Sequence, residues 1–338
     1  MFAPLLMKMQ SRRDLTSDEA SGAMREIMEG GATHAQIAGF LIGLAMKGER
    51  PSELVGLARA MREHAVTLSR RHEGVFDTCG TGGDHAGTFN VSSVTALVVA
   101  ACGVPVAKHG NRAVSSQCGS ADLFDALGVH VAAPPAVVER CLERAGIAFF
   151  FAPIFHPSMR HAAQARKELG VRTAFNLLGP LTNPAGARRQ LVGVPRPELT
   201  ELVARALLLL GSEHAWVVHG ADGLDEITTT GHTKVSECRE GVVRTFYVHP
   251  SEFGLEKAEP RDLEGGHAAD NAAIARRVLG GAAGPARDVV LLNAGAALFV
   301  AGRVESIPEG IAAAGAAIDG GTAGRVLDAM IEASRSPA

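Results

Sequence analysis

The chain reads as an α/β protein: a small all-helical N-terminal domain followed by a larger domain with a mainly parallel central sheet flanked by helices. Three observations predict this. Residues 1 to about 68 carry amphipathic helical spacing and no strand pattern. From Val75 onward, short apolar runs alternate with helical stretches, as a mainly parallel sheet requires. Two of those runs end in loops rich in glycine and polar residues, at the strand ends where such sheets receive ligands.

The helical part has clear start signals. Thr16 with Glu19 three residues on forms a capping box, and Met24, Ile27 and Met28 follow at helical spacing. Thr33 and His34 open a second helix with Ile37, Leu41, Leu44 and Ala45 on one face. Pro51 suits a first helical turn and precedes Leu54, Leu57, Ala58 and Met61. Successive short helices predict a bundle, whose apolar faces serve an internal core or a subunit interface.

Strands are expected at Val75–Thr78, Val104–Lys108, Ile147–Phe151, Gln190–Val194 and Ala215–His219. Helices are expected between them, over 91–102, 120–127, 134–145, 157–169 and 197–210. Two hairpin-like segments, 233–238 and 242–248, flank Glu240-Gly241. The tail from His267 is alanine-rich helix, with glycine breaks expected at Ala294-Gly295-Ala296-Ala297 and turns near 280–286 and 312–323.

The stretch from Asp77 to Ser120 organises the chemistry. Gly80, Gly82 and Gly83 fall within four residues, so backbone can approach a bulky anion with no Cβ in the way. Asn90, Ser92 and Ser93 stand at the start of an apolar helical run, where N–H groups and the helix dipole favour negative charge. Lys108 and Arg112 add full positive charge in Lys108-His109-Gly110-Asn111-Arg112-Ala113-Val114-Ser115-Ser116. The turn lacks the third glycine of a dinucleotide fingerprint, with His85 in its place, and no Lys-Ser or Lys-Thr follows at Walker spacing. Read alone, the glycine turn is a strand-to-helix connection, Asp225-Glu226 a solvated acidic turn and Arg166 a helix-surface residue; the Lys108 loop is a solvated turn, though its glycine, small hydroxyl residues and two cations also equip it as a mobile lid closing on a polyanion.

Composition narrows the class. With 338 residues, 46% of them hydrophobic, the chain can bury a sizeable core. Net charge is −3 and basic residues occur as scattered pairs, so no nucleic-acid face is expected. The five cysteines lack metal-ligand spacing, which argues for neither a zinc site nor a disulfide framework and points to a reducing cytoplasm. Met1 to Gln10 is too short for a signal peptide, and no apolar run is long enough for a membrane span.

In order and spacing, Gly80-Thr81-Gly82-Gly83-Asp84, Asn90-Val91-Ser92-Ser93, Lys108 to Arg112 and Gly119-Ser120-Ala121-Asp122 resemble the anthranilate phosphoribosyltransferases. So do Asn176-Leu177-Leu178-Gly179-Pro180-Leu181-Thr182-Asn183-Pro184 and Asp225-Glu226, so the resemblance spans nearly the whole chain. It implies a fold like that of nucleoside phosphorylases and phosphoribosyltransferases. The helical domain would cover 1–72, with a returning segment near 165–190, and the α/β domain 73–338. It also implies a homodimer formed through the helical domain.

The implied reaction transfers the phosphoribosyl group of phosphoribosyl pyrophosphate (PRPP) to the amine of anthranilate, releasing pyrophosphate, in tryptophan biosynthesis. By resemblance, PRPP contacts Gly80, Gly83, Asp84, Thr88, Asn90, Val91, Ser92, Ser93, the whole of Lys108 to Ser116, and Ser120. Anthranilate contacts Gly80, Asn111, His156 and Arg166, and Mg²⁺ is held by Ser92, Asp225 and Glu226. The chemistry of these groups agrees. A guanidinium grips a carboxylate in a fork, and Mg²⁺ takes one or two carboxylates plus phosphate oxygens. The alanines at 162 and 163 give Arg166 a small-residue neighbourhood where a planar ligand can approach. The chain departs from the pattern at Gln117-Cys118, where Lys-Ser is common, and at Ser93, where Thr is usual. Cys118 reads as a buried small residue. No single catalytic base is expected.

Two other readings stay open at this stage. A pyrimidine nucleoside phosphorylase shares the architecture, but its lysine-serine-glycine-arginine signature is not found here. A non-catalytic nucleic-acid-binding relative would carry degraded glycine and acidic motifs and a basic surface.

Overall fold

Local sequence sets the first helices. The computed structural model describes residues 1–84, 86–113 and 117–337. It opens with α1 (Phe2–Gln10), α2 (Ser17–Met28), α3 (His34–Lys47) and α4 (Pro51–Glu63). The Thr16 hydroxyl accepts from the Glu19 N–H at 3.1 Å, and the Glu19 carboxylate accepts from the Thr16 N–H at 2.7 Å. Thr33 and Gln36 repeat the box at α3. Gly56 lets α4 lie directly on α2, because a Cβ there would stand 2.9 Å from the Ala20 Cβ.

The sheet follows. Its elements are β1 (Phe76–Asp77), α5 (Val91–Ala101), β2 (Val106–Gly110), α6 (Ser120–Leu127), α7 (Pro135–Ala145) and β3 (Ile147–Phe151). Then come the short α8 (Ala152–Phe155), α9 (Arg160–Leu169), β4 (Arg189–Gly193), α10 (Leu199–Leu209), β5 (His214–Gly220), β6 (Thr233–Arg239) and β7 (Val242–Val248). The tail is α11 (Ala268–Leu279), α12 (Pro285–Val300), α13 (Ile307–Asp319) and α14 (Thr322–Ser334). Among the described residues no helix is long and apolar enough to cross a membrane.

The described residues form one seven-stranded sheet in the order β3-β2-β1-β4-β5-β6-β7. Strands β1 to β5 pair in parallel, while β6 and β7 add an antiparallel hairpin at one edge. The hairpin turns at Glu240 and Gly241, both with positive φ, as a two-residue loop between right-twisted strands requires. The strand order reverses between β1 and β4, and that switch point opens a crevice beyond the strand ends.

Both faces of the sheet are covered, and strand periodicity sorts the side chains. Leu191, Trp216 and Val218 face α5 and α11–α14. Val192, Val194, Ala215 and Val217 face α10 and, in the same cluster, Ile27, Phe40, Leu44 and Leu54 of the N-terminal bundle. Ala162 and Ala165 of α9, with Phe175, Leu177, Leu178 and Leu181, complete that cluster. The bundle core is thus continuous with one face of the sheet. The connection from α4 to β1 is pinned down: the Val66 N–H donates to the Phe155 carbonyl, and Glu139 accepts from the Ser69 hydroxyl and the Arg70 N–H.

Four local expectations change. The strand expected to end at Lys108 runs on to Gly110, because pairing with β3 continues to Phe151. The helix expected over 157–169 begins as a 3-10 turn at Pro157–Met159 before α9. Gly295 does not break a helix, and residues 312–319 are helix rather than turn. There α12 and α13 touch backbone to backbone: a Cβ on Gly295 would lie 2.9 Å from the Ile311 nitrogen. Glycine in these helices serves close approach, not interruption.

Candidate active site

The crevice at the switch point is built by backbone. After β1 the glycine turn runs beside the end of β4: Gly80 bridges Gly193, and the Thr81 N–H donates to the Gly193 carbonyl at 2.9 Å. The loop after β5 delivers Asp225 and Glu226 to the same place. Asp225 Oδ2 accepts from the Gly82 N–H, and Glu226 Oε1 from the Ser92 N–H, both at 3.0 Å. Space is tight. A Cβ on Gly80 would lie 2.8 Å from Asp225 Oδ2, and one on Gly193 would land on the Asp225 carbonyl oxygen. Gly83 has positive φ and passes under the Arg172 guanidinium, whose Nη2 donates to the Thr81 carbonyl at 3.4 Å.

Electrostatics mark the acidic pair. Burial raises the pKa of both carboxyls well above the usual range. Asp84 adds to the rise at Asp225, and Asp225 adds to that at Glu226. Lys108 opposes it, as a fixed cation beneath the glycine turn: the residue is 2% exposed and its ammonium donates to the Thr78 carbonyl at 2.7 Å. Lys108, His109 and Gly110 therefore belong to the sheet, not to a moving lid.

Beside Lys108, Asp77 is fully buried. It accepts from the Asn183 side-chain amide at 2.8 Å and from the His109 N–H at 3.2 Å. Desolvation still pushes its carboxyl up to about 6.

At the start of α5, Asn90 faces inward rather than outward. Its amide donates to the Cys118 carbonyl and its oxygen accepts from Asn271, each at 3.0 Å, so its side chain ties two loops together. Val91 is buried, and its N–H donates to the Phe89 carbonyl. The Ser93 N–H donates to the Asn90 carbonyl. The N–H groups expected to be open at this helix start are thus engaged, that of Ser92 by a carboxylate, which is itself an anion on the helix terminus. Ser93 is buried with its hydroxyl lacking a hydrogen-bond partner. Thr88 bridges Glu264 and stands farther along the loop.

The second loop is organised by Asp122, which accepts from the Ala113 and Gly119 N–H groups at 2.9 Å each. The carbonyl of Asn111 receives the Ser120 hydroxyl at 3.4 Å. Arg112 is turned outward onto Asp122 and Asp125, at 2.8 and 3.2 Å. Val114, Ser115 and Ser116 lie outside the described residues. Cys118 is buried and its thiol is pushed upward by desolvation, as expected of a packed residue.

Of the four residues read as the aromatic-acid pocket, His156 and Arg166 lie against 174–182, whereas Gly80 packs on Asp225 and Asn111 stays on the second loop. His109 and His156 lie ring to ring at 5.2 Å, and His109 Nδ1 is 3.0 Å from the Gly179 carbonyl. Burial holds His109 down to about 3 and His156 to about 4, so both rings are neutral at pH 7. Arg166 is half-buried with its guanidinium 5.3 Å from the Phe175 ring. Burial lowers its pKa, with no carboxylate among the described residues to oppose the shift. Ala162 is buried beside it in the core, but Ala163 faces solvent, so only one of the two alanines shapes its surroundings.

Sequence reading missed Gly193, Asp122, Asn183, Asn271 and Arg172. Asn183 stands in the motif from Asn176 to Pro184, which by itself suggests only a connection. Asp122 stands in the motif from Gly119 to Asp122 and acts on its own loop, whereas Gly193, Asn271 and Arg172 carry no local signal, because each acts on a loop far from it in the chain.

Comparisons with known proteins bear on the family and the fold. Residues 72–324 match the glycosyl transferase family a/b domain, and residues 3–65 match its helical bundle domain. The anthranilate phosphoribosyltransferase of Syntrophobacter fumaroxidans is 56% identical over 96% of this chain and 97% of its own. That of Moorella thermoacetica is 54% identical over 98% of each. The crystal structure of the Thermus thermophilus enzyme superposes with a TM-score of 0.93 at 45% identity, covering 99% of this chain and 100% of that one. The Saccharomyces cerevisiae enzyme in complex with PRPP and Mg gives 0.90 at 29% identity, covering 99% and 98%. Fold and sequence converge: the chain belongs to the anthranilate phosphoribosyltransferase family.

Proposed function

We propose that the crevice between β1, β4 and β5 is where this chain binds PRPP with Mg²⁺, and that anthranilate enters beside Arg166 and the His109–His156 pair. The chain is an anthranilate phosphoribosyltransferase-family enzyme: it moves the phosphoribosyl group from PRPP to the anthranilate amine, releasing pyrophosphate, in tryptophan biosynthesis. The observation that carries the site reading is the acidic pair brought against a glycine turn and a buried lysine.

The residues fit a magnesium ion. Asp225 and Glu226 are desolvated and repel each other, each with one N–H donor, and Ser92 is partly exposed beside them. Two carboxylates and a hydroxyl suit an ion that completes its shell with phosphate oxygens. When bound, Mg²⁺ supplies positive charge to the diphosphate leaving group.

The remaining work falls to the chain. As the glycosidic bond breaks, negative charge grows on the pyrophosphate. Lys108 supplies a fixed positive charge beneath the glycine turn, and the Gly82 N–H, now on Asp225, is a donor at the same place. The Ser92 N–H, now on Glu226, would be a donor for a phosphate oxygen if an ion engaged that carboxylate. Arg166 holds the anthranilate carboxylate and Asn111 steadies the ring, so the amine meets the ribose carbon in line. That amine is neutral near pH 7 and needs no strong base.

The segments 1–72 with 165–190 form the helical domain in this reading, and 73–338 the phosphoribosyl-binding domain. A homodimer would form through the helices. Met7 and Met46 are exposed there, and with Leu6, Ile42 and Gly43 they line a groove of about 420 Å³. Sedimentation analysis tests this: a monomer at micromolar concentration would refute it. The absence of disulfides among the described residues accords with a cytoplasmic enzyme.

The direct test is loss of anthranilate fluorescence in a mixture of protein, Mg²⁺ and PRPP. It is expected to proceed, and to stop on adding a chelator. No decay with folded protein and both substrates in excess would refute the reading. Phosphorolysis of pyrimidine nucleosides would then be the next assay.

A further inference from the structure

Asn293 lies on α12, 66 residues beyond Ile227, and its side chain is 0% exposed. Its Oδ1 accepts from the Ile227 N–H at 3.0 Å. Its Nδ2 donates to the Ile227 carbonyl and to the Val289 carbonyl, both at 2.8 Å. Two of the three bonds therefore bracket a single residue, the one directly after Glu226. Ile227 lies between β5 and β6, so no strand ladder satisfies its backbone. The asparagine amide does what a neighbouring strand would do. Its planar group offers acceptor and donor side by side at this reach.

The rest of the loop is tied from other sides. The Gly220 N–H donates to the Leu224 carbonyl at 2.8 Å, and the Thr228 and Thr230 hydroxyls donate to Asp222. Gly193 leaves room for the Asp225 carbonyl. These ties hold the ends. Among the described residues, Asn293 is the side chain that grips the peptide next to the two like charges, which repel each other and would otherwise splay.

We propose that Asn293 is a positioning residue for the metal site: by clamping the Ile227 peptide it aims the Asp225 and Glu226 carboxylates at the glycine turn and the start of α5. The inference rests on the reading of Asp225 and Glu226 as the metal-holding pair. Asn293 never touches substrate in this arrangement; it acts through the backbone.

The experiment compares Asn293→Asp and Asn293→Ser with the unaltered protein. The first keeps the acceptor and loses both donors; the second loses the clamp and leaves room for water. Mn²⁺ is titrated by electron paramagnetic resonance into each protein in the presence of PRPP. Both variants are expected to bind Mn²⁺ about tenfold more weakly, the scale of lost ligand support at metal sites. The Mg²⁺ concentration for half-maximal rate should rise in parallel, while the anthranilate KM stays within about twofold. A folded variant with unaltered Mn²⁺ affinity overturns the inference. So does a fall in kcat at every Mg²⁺ concentration with no shift in metal dependence.

Hydrogen exchange on the unaltered protein needs no variant to fold. The Ile227 amide should exchange as slowly as the core strands, and fast exchange overturns the clamp. Failure of the unaltered protein to bind Mn²⁺ with PRPP would overturn the metal reading itself, and the inference with it.

Discussion

Two acidic centres sit at the same end of the sheet, far apart in the chain and opposite in design. Asp77 is fully buried, yet it receives the Asn183 amide and the His109 N–H and lies beside Lys108. Asp225 and Glu226 are partly open, receive one N–H each, and face each other and Asp84. The first centre is complete within the protein. The second sets like charges against one another, with Lys108 and Arg172 opposing only part of the rise, which leaves a place for a cation. Burial alone therefore does not identify a ligand site; the balance of partners does.

The comparison predicts opposite responses to mutation. Asp225→Ala/Glu226→Ala should lower turnover by about a thousandfold or more, as loss of leaving-group stabilisation implies. The same double variant should melt at a higher temperature than the unaltered protein, since it removes repelling charges. A lower melting temperature would break the distinction. Asp77→Ala should do the reverse in stability. It leaves Lys108 and the Asn183 amide uncompensated, so unfolding in urea should become easier by about 3 kcal/mol.

Arg166→Ala comes next. It should raise the anthranilate KM by about tenfold or more and change the PRPP KM much less, as removal of a charged hydrogen-bonding fork implies. Equal effects on both would remove it from the aromatic-acid pocket.

The response to pH sharpens the contrast. The Asp77 carboxyl is held up to about 6 from an ordinary 3.8. The folded state thus holds its proton more tightly than the unfolded chain does. Its effect favours the fold at low pH and is lost as pH rises from near 4 through about 6. The loss amounts to about 3 kcal/mol if it acts alone. Asp77→Asn should flatten the stability curve across that window. The Asp225–Glu226 pair has the same sign, since both carboxyls are raised. Ligands that need the ionised pair reverse it: the stability added by Mg²⁺ with PRPP should grow as pH rises from about 6 to about 8. An equal increment at both values would contradict the raised carboxyls.

The smallest effect is expected at Gln117, which is exposed on the second loop and where the resemblance leads one to expect a lysine. Gln117→Lys should alter the PRPP KM by about twofold or less, because an exposed charge is screened. A tenfold tightening would make that position a diphosphate contact after all.

Much of the architecture was legible in the chain because it is encoded locally. The Thr16–Glu19 box, Pro51 at its helix start and the 120–127 helix all depend on neighbours within a few residues. The alternation of Leu191 with Val192, and of Trp216 with Val217, likewise places each side chain on its face of the sheet. The glycine turn and the Asp225-Glu226 pair were visible as motifs for the same reason. Local pattern failed where the cause lay across the fold. Gly295 reads as a helix break until Gly310 is seen to need the room. Lys108 reads as a lid residue until β3 is seen to pair past it.

The sequence by itself determined the elements, their order and the residue types that suit a phosphate-rich ligand, since periodicity, caps and glycine spacing act over short range. Only the tertiary structure decided which of those residues meet. It put β4 beside β1, set Gly193 against Asp225, turned Arg112 outward onto Asp122 and Asp125, and brought Asn183, Asn271 and Asn293 to loops remote from them in the chain. A buried amide binds whatever peptide or side chain the packing brings within about 3 Å, and no local pattern records that choice.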